Sequence, residues 1–95
     1  MPKGYVISRV DVRDPEAFAR YGPAATQAIA AHGGRILARG GRSKALEGPA
    51  RARNVVLEFD SYERARAYYH SAQYQAAKAL RAGAADMEMV LVEGV

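Results

Sequence analysis

Four short stretches of the chain are rich in β-branched and other apolar residues, and each predicts a β-strand. They span residues 5–12, 35–40, 54–59 and 87–92. After the first stretch, apolar residues return at steps of three and four, the repeat of a helix that buries one stripe. A second helix is predicted before the last strand. The inner stripe of the first helix consists of Phe18, Tyr21, Ala25, Ile29 and His32.

Local signals set the limits of the first helix. Asp14 precedes it, and a carboxylate in that position accepts hydrogen bonds from free backbone N–H groups. The helix is predicted to reach about residue 32, because Gly33 adopts the left-handed conformation that ends helices. Pro23 has no N–H group to donate, so we expect a kink or a loosened turn there.

Ser61 is a suitable cap for the second helix, residues 62–81, and Ser71 is a second cap that divides this helix near His70. Residues 41–53 are polar and contain Gly48 and Pro49, which predicts a long loop between strands two and three. With right-handed crossovers, the order βαββαβ gives an α+β fold, with a four-stranded antiparallel sheet and two helices on one face. We expect strands one and three to be neighbours and residues 1–95 to form one domain.

Two helices can cover only one face of this sheet, yet the third and fourth strands carry apolar residues on both faces. Val55, Val56 and Leu57 are consecutive, as are residues 89–92. A strand with one face in water should instead alternate. Large exposed apolar patches are rare on soluble monomers, so we expect a second copy of the chain to cover this face in a homodimer.

Alternation sorts the strand residues into a nearly apolar face and a mixed face. We expect the apolar face, which includes Val6, Leu57 and Met89, to take the helices. The mixed face carries Arg9, Arg39, Glu58 and Glu88 and is expected to meet the partner. Buried charges need partners, so the predicted ion pairs are Arg9 with Glu58 and Arg39 with Glu58.

The composition of the chain indicates its expected cellular location and limits the classes of partner it could bind. The chain has no cysteine, and its start lacks the apolar stretch of a signal peptide. No run is long enough to span a membrane. We therefore expect a cytoplasmic protein that does not bind membranes. The net charge of +4 comes from scattered arginines rather than a dense block. The third strand also lacks the aromatic signature of RNA-recognition domains, so no nucleic-acid partner is expected.

Several runs of residues, in order and at similar spacing, resemble one bacterial family, domain of unknown function 1330. They are His32-Gly33-Gly34-Arg35, Leu37-Ala38-Arg39-Gly40-Gly41, Glu47-Gly48, Val56-Leu57-Glu58-Phe59 with Ser61, Tyr69-His70-Ser71, Tyr74-Gln75 and Arg81. The family is similar to the dimeric α/β-barrel superfamily, in which two ferredoxin-like sheets meet to form a barrel. The resemblance implies this fold and a dimer, but no reaction, because the family has no established activity.

A small set of polar residues lies on otherwise apolar elements and could form a site. His32 and Glu58 are candidate proton-transfer groups, and Arg9, Tyr21, Arg39 and Tyr69 are candidate ligand-binding groups. Each has a structural alternative: a helix-end histidine, ion pairs that fix register, and tyrosines packed in the core. With two histidines and no metal-ligand spacing, no metal or other cofactor is expected.

Three functions follow from these residues, and the sequence does not decide between them. The first is a dimer with a small-molecule pocket in each subunit. The second is a structural or interaction dimer without enzymatic activity. The third is a cofactor-free oxygenase or isomerase that acts on a small organic acid, by analogy with other barrels of this kind.

Overall fold

A computed structural model describes residues 2–95. Its seven elements follow the predicted order, with the second helix in two parts. They are β1 (Gly4–Val12), α1 (Pro15–Ala31), β2 (Arg35–Arg39), β3 (Arg53–Phe59), α2 (Tyr62–His70), α3 (Ala72–Leu80) and β4 (Ala85–Glu93). The strands form one antiparallel sheet in the order β2-β3-β1-β4. The predicted α+β fold is confirmed. Strands one and three are adjacent in the sheet, as predicted.

The predicted caps determine where the helices begin and break. Asp14 accepts a hydrogen bond from the backbone N–H of Ala17 at 3.2 Å. The Ser71 hydroxyl accepts one from the N–H of Tyr74 at 3.0 Å and donates one to the carbonyl of Tyr68 at 2.7 Å. Ser71 therefore ends α2 and begins α3, as predicted. Helix α1 continues without a break past Pro23.

The helices pack on the face of the sheet that the alternation predicted. On β1, Val6, Ser8 and Val10 are buried, and on β3 Leu57 and Phe59 are buried. The same core contains residues of all three helices, with Tyr68 and Tyr74 as its largest fully buried side chains. The core thus lies in one layer between the sheet and the helices.

A β-bulge in β2 overturns the predicted position of Arg39. Ile36 pairs with Leu57, but the next pair is Ala38 with Val56, so one residue is extra in β2. An extra residue reverses the faces of the residues that follow it. Arg39 then pairs with Val55 and lies on the helix-covered side, not on the mixed face.

The uncovered face of the sheet has an apolar row between two polar rows. Ile7 of β1 pairs with Val56 on one side and Val90 on the other, and Ala38 extends this row onto β2. Val90 is 54% exposed, and Leu37, also on this face, is 55% exposed. One flanking row consists of Arg35, Glu58, Tyr5 and Val92, and the other of Asn54, Arg9 and Glu88.

Both predicted ion pairs of Glu58 are wrong, because its partner is Arg35. The Arg35 Nε donates to the Glu58 carboxylate at 2.8 Å, and the Tyr5 hydroxyl donates to its other oxygen at 3.1 Å. Arg39 lies on the opposite side of the sheet. Arg9 is opposite Asn54, four residues from Glu58 along β3. That separation is roughly 13 Å, which is too far for a direct ion pair.

Candidate functional site

A cavity of about 560 Å³ lies between α1 and the helix-covered side of the sheet. Its floor consists of two rows of residues across the strands. In each row an arginine lies on the β2–β3 side and a methionine lies on β4. The side chains of Phe18, Tyr21 and Ile29 line it from α1, and Tyr68 lines it from α2. One row consists of Arg39, Val55, Ser8 and Met89, and the other consists of Arg53, Val10 and Met87.

Neutral polar groups in this cavity are buried. Ser8 is only 4% exposed, although it lies in the middle of an apolar strand face. The hydroxyls of Tyr21 and Tyr74 are hydrogen-bonded to each other at 2.8 Å. Burial raises the pKa of Tyr21 well above its ordinary value of 10, and burial also raises the pKa of Tyr68. Both phenols that line the cavity are therefore protonated at neutral pH.

The charged groups of the cavity are both arginines. The Arg39 Nη1 donates to the Thr26 hydroxyl of α1 at 3.0 Å, and Thr26 in turn donates to the carbonyl of Gly22 at 2.9 Å. Arg53 is half-buried beside Gly40. No carboxylate lines this cavity, and within residues 2–95 neither arginine forms an ion pair.

The structure brings together only two of the six residues proposed from the sequence. Tyr21 and Arg39 line the cavity. Arg9 lies on the uncovered face and donates to the Pro49 carbonyl at 3.3 Å. Tyr69 borders a smaller cavity of about 300 Å³ between α2 and β4, and its hydroxyl accepts a hydrogen bond from Lys78 at 3.0 Å.

The two candidate proton-transfer groups lie outside the cavity. The Nδ1 of His32 is 2.9 Å from the carbonyl of Ala28, at the end of α1. This is the contact expected of a helix-terminal histidine. Glu58 lies on the uncovered face with Arg35. The roles of His32 and Glu58 in catalysis stay predictions, and no contact links either residue to Tyr21 or Arg39.

Four polar residues that line the cavity were not proposed from the sequence. The position of Ser8 in the sequence could have marked it as a site residue. It is the one polar residue between Val6 and Val10 on a strand face that is otherwise apolar. Arg53 extends β3 by one residue beyond its predicted start and shares a face with Val55. Thr26 and Tyr68 gave no signal, since polar residues on helices are common at any position.

Glu58 predicts a pH dependence of stability. Its hydrogen bonds with Arg35 and Tyr5 lower the pKa of this carboxyl below its usual 4.5. A carboxyl whose pKa is lower in the folded state stabilises the fold above its unfolded pKa, and this contribution is lost as the pH falls through the folded value. Glu58→Gln should therefore have a lower melting temperature than the parent at pH 7, and the difference should shrink below about pH 4.5.

Melting temperatures from pH 7 to pH 3, at one protein concentration, measure this effect. Glu47→Gln is the control, because Glu47 is exposed in the loop after β2 and forms no ion pair in the described part of the chain. A difference between parent and Glu58→Gln that stays constant across this range would contradict the assignment.

The described residues offer neither a metal site nor a membrane-spanning helix. Across residues 2–95, no three histidine, aspartate or glutamate side chains come together in a way that could hold a metal ion. In the same residues, none of the helices has the length and apolar character needed to cross a membrane.

Residues 3–95 match the family model described as domain of unknown function, DUF1330. The chain belongs to this family. The resemblance noted in the sequence is thereby confirmed over nearly the whole length of this family member. Among curated proteins, no match was found.

Solved structures with the same fold cover almost the entire chain of this DUF1330 protein. A protein of unknown function from Rhodopseudomonas palustris has a TM-score of 0.75 at 20% identity, over 99% of this chain and 83% of that one. A dimeric ferredoxin-like protein of unknown function from Thermobifida fusca has a TM-score of 0.65 at 20% identity, over 99% and 92%. SnoaB, a cofactor-independent oxygenase from Streptomyces nogalater, has a TM-score of 0.70 at 10% identity, over 97% and 92%. At these identities the similarity establishes the ferredoxin-like fold.

Proposed function

We propose that this protein is a homodimer in which each subunit binds a small, largely apolar organic molecule in the cavity between α1 and the sheet. The observation that carries the proposal is the cavity itself. Its volume of about 560 Å³ lies within the range of ligand pockets. Its walls are mostly apolar with a few polar groups, which is the composition of sites that bind small molecules.

The uncovered sheet face supports the dimer. Its central apolar row, with Ile7, Val56 and Val90, would lie in water in an isolated chain. A two-fold axis through this row would place apolar residues against apolar residues. Each flanking polar row contains an arginine and a glutamate, so the rows could pair with each other across that axis. The Thermobifida fusca structure of similar fold is described as dimeric. Two such sheets face to face form the α/β barrel that the resemblance implies.

The proposal concerns binding and does not require turnover. Proton transfer by the two candidate groups at the bound molecule is not supported, because neither His32 nor Glu58 lines the cavity. The cofactor-independent oxygenase of similar fold is a reason to test turnover once a ligand is known. A cytoplasmic location, expected from the sequence, stays a prediction.

A cavity-filling variant tests the site. Ala25 is buried and lines the cavity from α1, so Ala25→Leu places three more carbon atoms in the space that a ligand would use. Ala30→Leu is the matched control, because Ala30 is exposed on the same helix. Isothermal titration with 2-naphthoate and 2-naphthamide measures binding to the parent and to both variants.

We expect Ala25→Leu to weaken binding of these probes by roughly fivefold to a hundredfold, since overfilling a packed space costs about 1–3 kcal/mol. Ala30→Leu should bind as the parent does. If Ala25→Leu binds both probes with the affinity of the parent, the cavity is not the binding site. Thermal unfolding of each variant verifies that it is folded at the temperature of the titration.

A further inference from the structure

We infer that the molecule bound in this cavity is an organic anion, whose planar oxyanion group, such as a carboxylate, is held by Arg39 and Arg53. This inference rests on the proposed function, since it assigns the ligand class of the same cavity. Arg53 was not among the residues suggested by the sequence, and its position beside Arg39 follows from the sheet register and the bulge in β2.

The charge of the cavity lining is positive. Its lining contains two guanidinium groups and no carboxylate. Among the other strand and loop arginines within residues 2–95, Arg13, Arg35 and Arg51 each contact one or two aspartate or glutamate side chains, whereas Arg9 and Arg42 form no ion pair and lie outside this cavity. Two like charges that share one cavity repel each other. An anion bound between them would remove that repulsion, so the cavity favours a negatively charged ligand.

Local contacts constrain both arginines. The bulge turns Arg39 toward α1, and the Thr26 hydroxyl accepts a hydrogen bond from its Nη1 at 3.0 Å. The Arg53 guanidinium packs against Gly40, where the backbone has a positive φ of 68°. A Cβ atom at Gly40 would lie 2.7 Å from the Arg53 Nη1. Glycine therefore provides the space that this guanidinium occupies.

The cavity floor is divided into a charged side and an apolar side. Arg39 and Arg53 lie on the β2–β3 side, and Met87 and Met89 lie on β4 at the other end of the same two rows. Tyr21 near the apolar side is neutral at physiological pH. A ligand that matches this floor has an apolar body, which contacts the methionines, and one planar oxyanion at one end. Arginine binds such a group through two parallel hydrogen bonds.

The experiment compares 2-naphthoate with 2-naphthamide, which have the same ring system and differ in charge. We expect the parent to bind 2-naphthoate roughly tenfold to a hundredfold more tightly, which is the usual contribution of charge-assisted hydrogen bonds. Arg39→Gln and Arg53→Gln should each lose most of this preference and keep their affinity for 2-naphthamide. Arg42→Gln is the matched control in the exposed loop after β2 and should retain the preference.

The outcomes separate this inference from the proposed function. If the parent binds both probes equally, or if both glutamine variants keep the preference for 2-naphthoate, the anion site is overturned and the cavity proposal stands. If the parent binds neither probe, both proposals are overturned. Should Arg53→Gln fail to fold, Arg39→Gln and the salt dependence of the parent decide the question. The preference must fall as sodium chloride screens the charges, and a preference that salt does not change would overturn the inference.

Discussion

A glutamate in place of Ile7 is expected to convert the dimer into a monomer. Ile7 is the middle residue of the apolar row on the uncovered sheet face, between Val56 and Val90. A two-fold axis through this row places two copies of the new carboxylate close together in the apolar centre of the interface, where they repel each other and lose water. A poorly compensated buried charge costs about 3–5 kcal/mol, so the dissociation constant should rise by roughly a hundredfold or more.

Sedimentation velocity over a range of concentrations measures this change. Leu80→Glu is the control, because Leu80 is an exposed leucine at the end of α3, away from the uncovered face of the sheet. We expect the control to remain a dimer wherever the parent is one. A dimeric Ile7→Glu variant, or a parent that is monomeric in micromolar solution, would show that this face does not form the interface.

The second large effect is expected from Tyr74→Ala. The Tyr74 side chain is fully buried between the helices and the sheet, and its ring is 4.9 Å from the ring of Tyr68. Truncation of a buried aromatic residue to alanine costs about 3–5 kcal/mol. A domain of this size has a total stability of about 5–15 kcal/mol, so the variant should lose a large part of it.

Tyr74→Phe separates packing from hydrogen bonding. It keeps the ring and removes the hydroxyl that is 2.8 Å from the hydroxyl of Tyr21. We expect a loss of about 1–2 kcal/mol, because one buried hydrogen bond is lost. Urea unfolding at a single protein concentration measures both variants. Equal losses for Tyr74→Ala and Tyr74→Phe would mean that the hydroxyl pair, and not the aromatic packing, dominates at this position.

The order of the elements could be predicted because their signals are local. Ser71 is an example: a serine before a new apolar repeat marks a helix start, and its hydroxyl does cap α3. The helix-covered face of β1 could also be predicted, since side chains alternate strictly along a strand. These features depend on residues that are near each other in the sequence.

The position of Arg39 could not be predicted, because it depends on a bulge. One extra residue in β2 moves Arg39 from the uncovered face to the cavity, and no glycine or proline marks this place in the sequence. The prediction that Glu58 pairs with Arg39 rather than Arg35 is wrong for a related reason. The register of β2 against β3 depends on the path of the long loop between them, and the sequence does not determine that path. The site was therefore predicted only in part, as two of its residues.

The most direct test of the cavity as the ligand site is the methyl NMR spectrum of the protein labelled with ¹³C at the methionine methyl groups. The chain has three methionines, and Met87 and Met89 both line the cavity. During a titration with 2-naphthoate, we predict that both methyl resonances shift and saturate together, at the concentration that saturates the calorimetric signal. Binding detected by calorimetry without any shift of the Met87 and Met89 methyl resonances would place the ligand elsewhere and contradict the account.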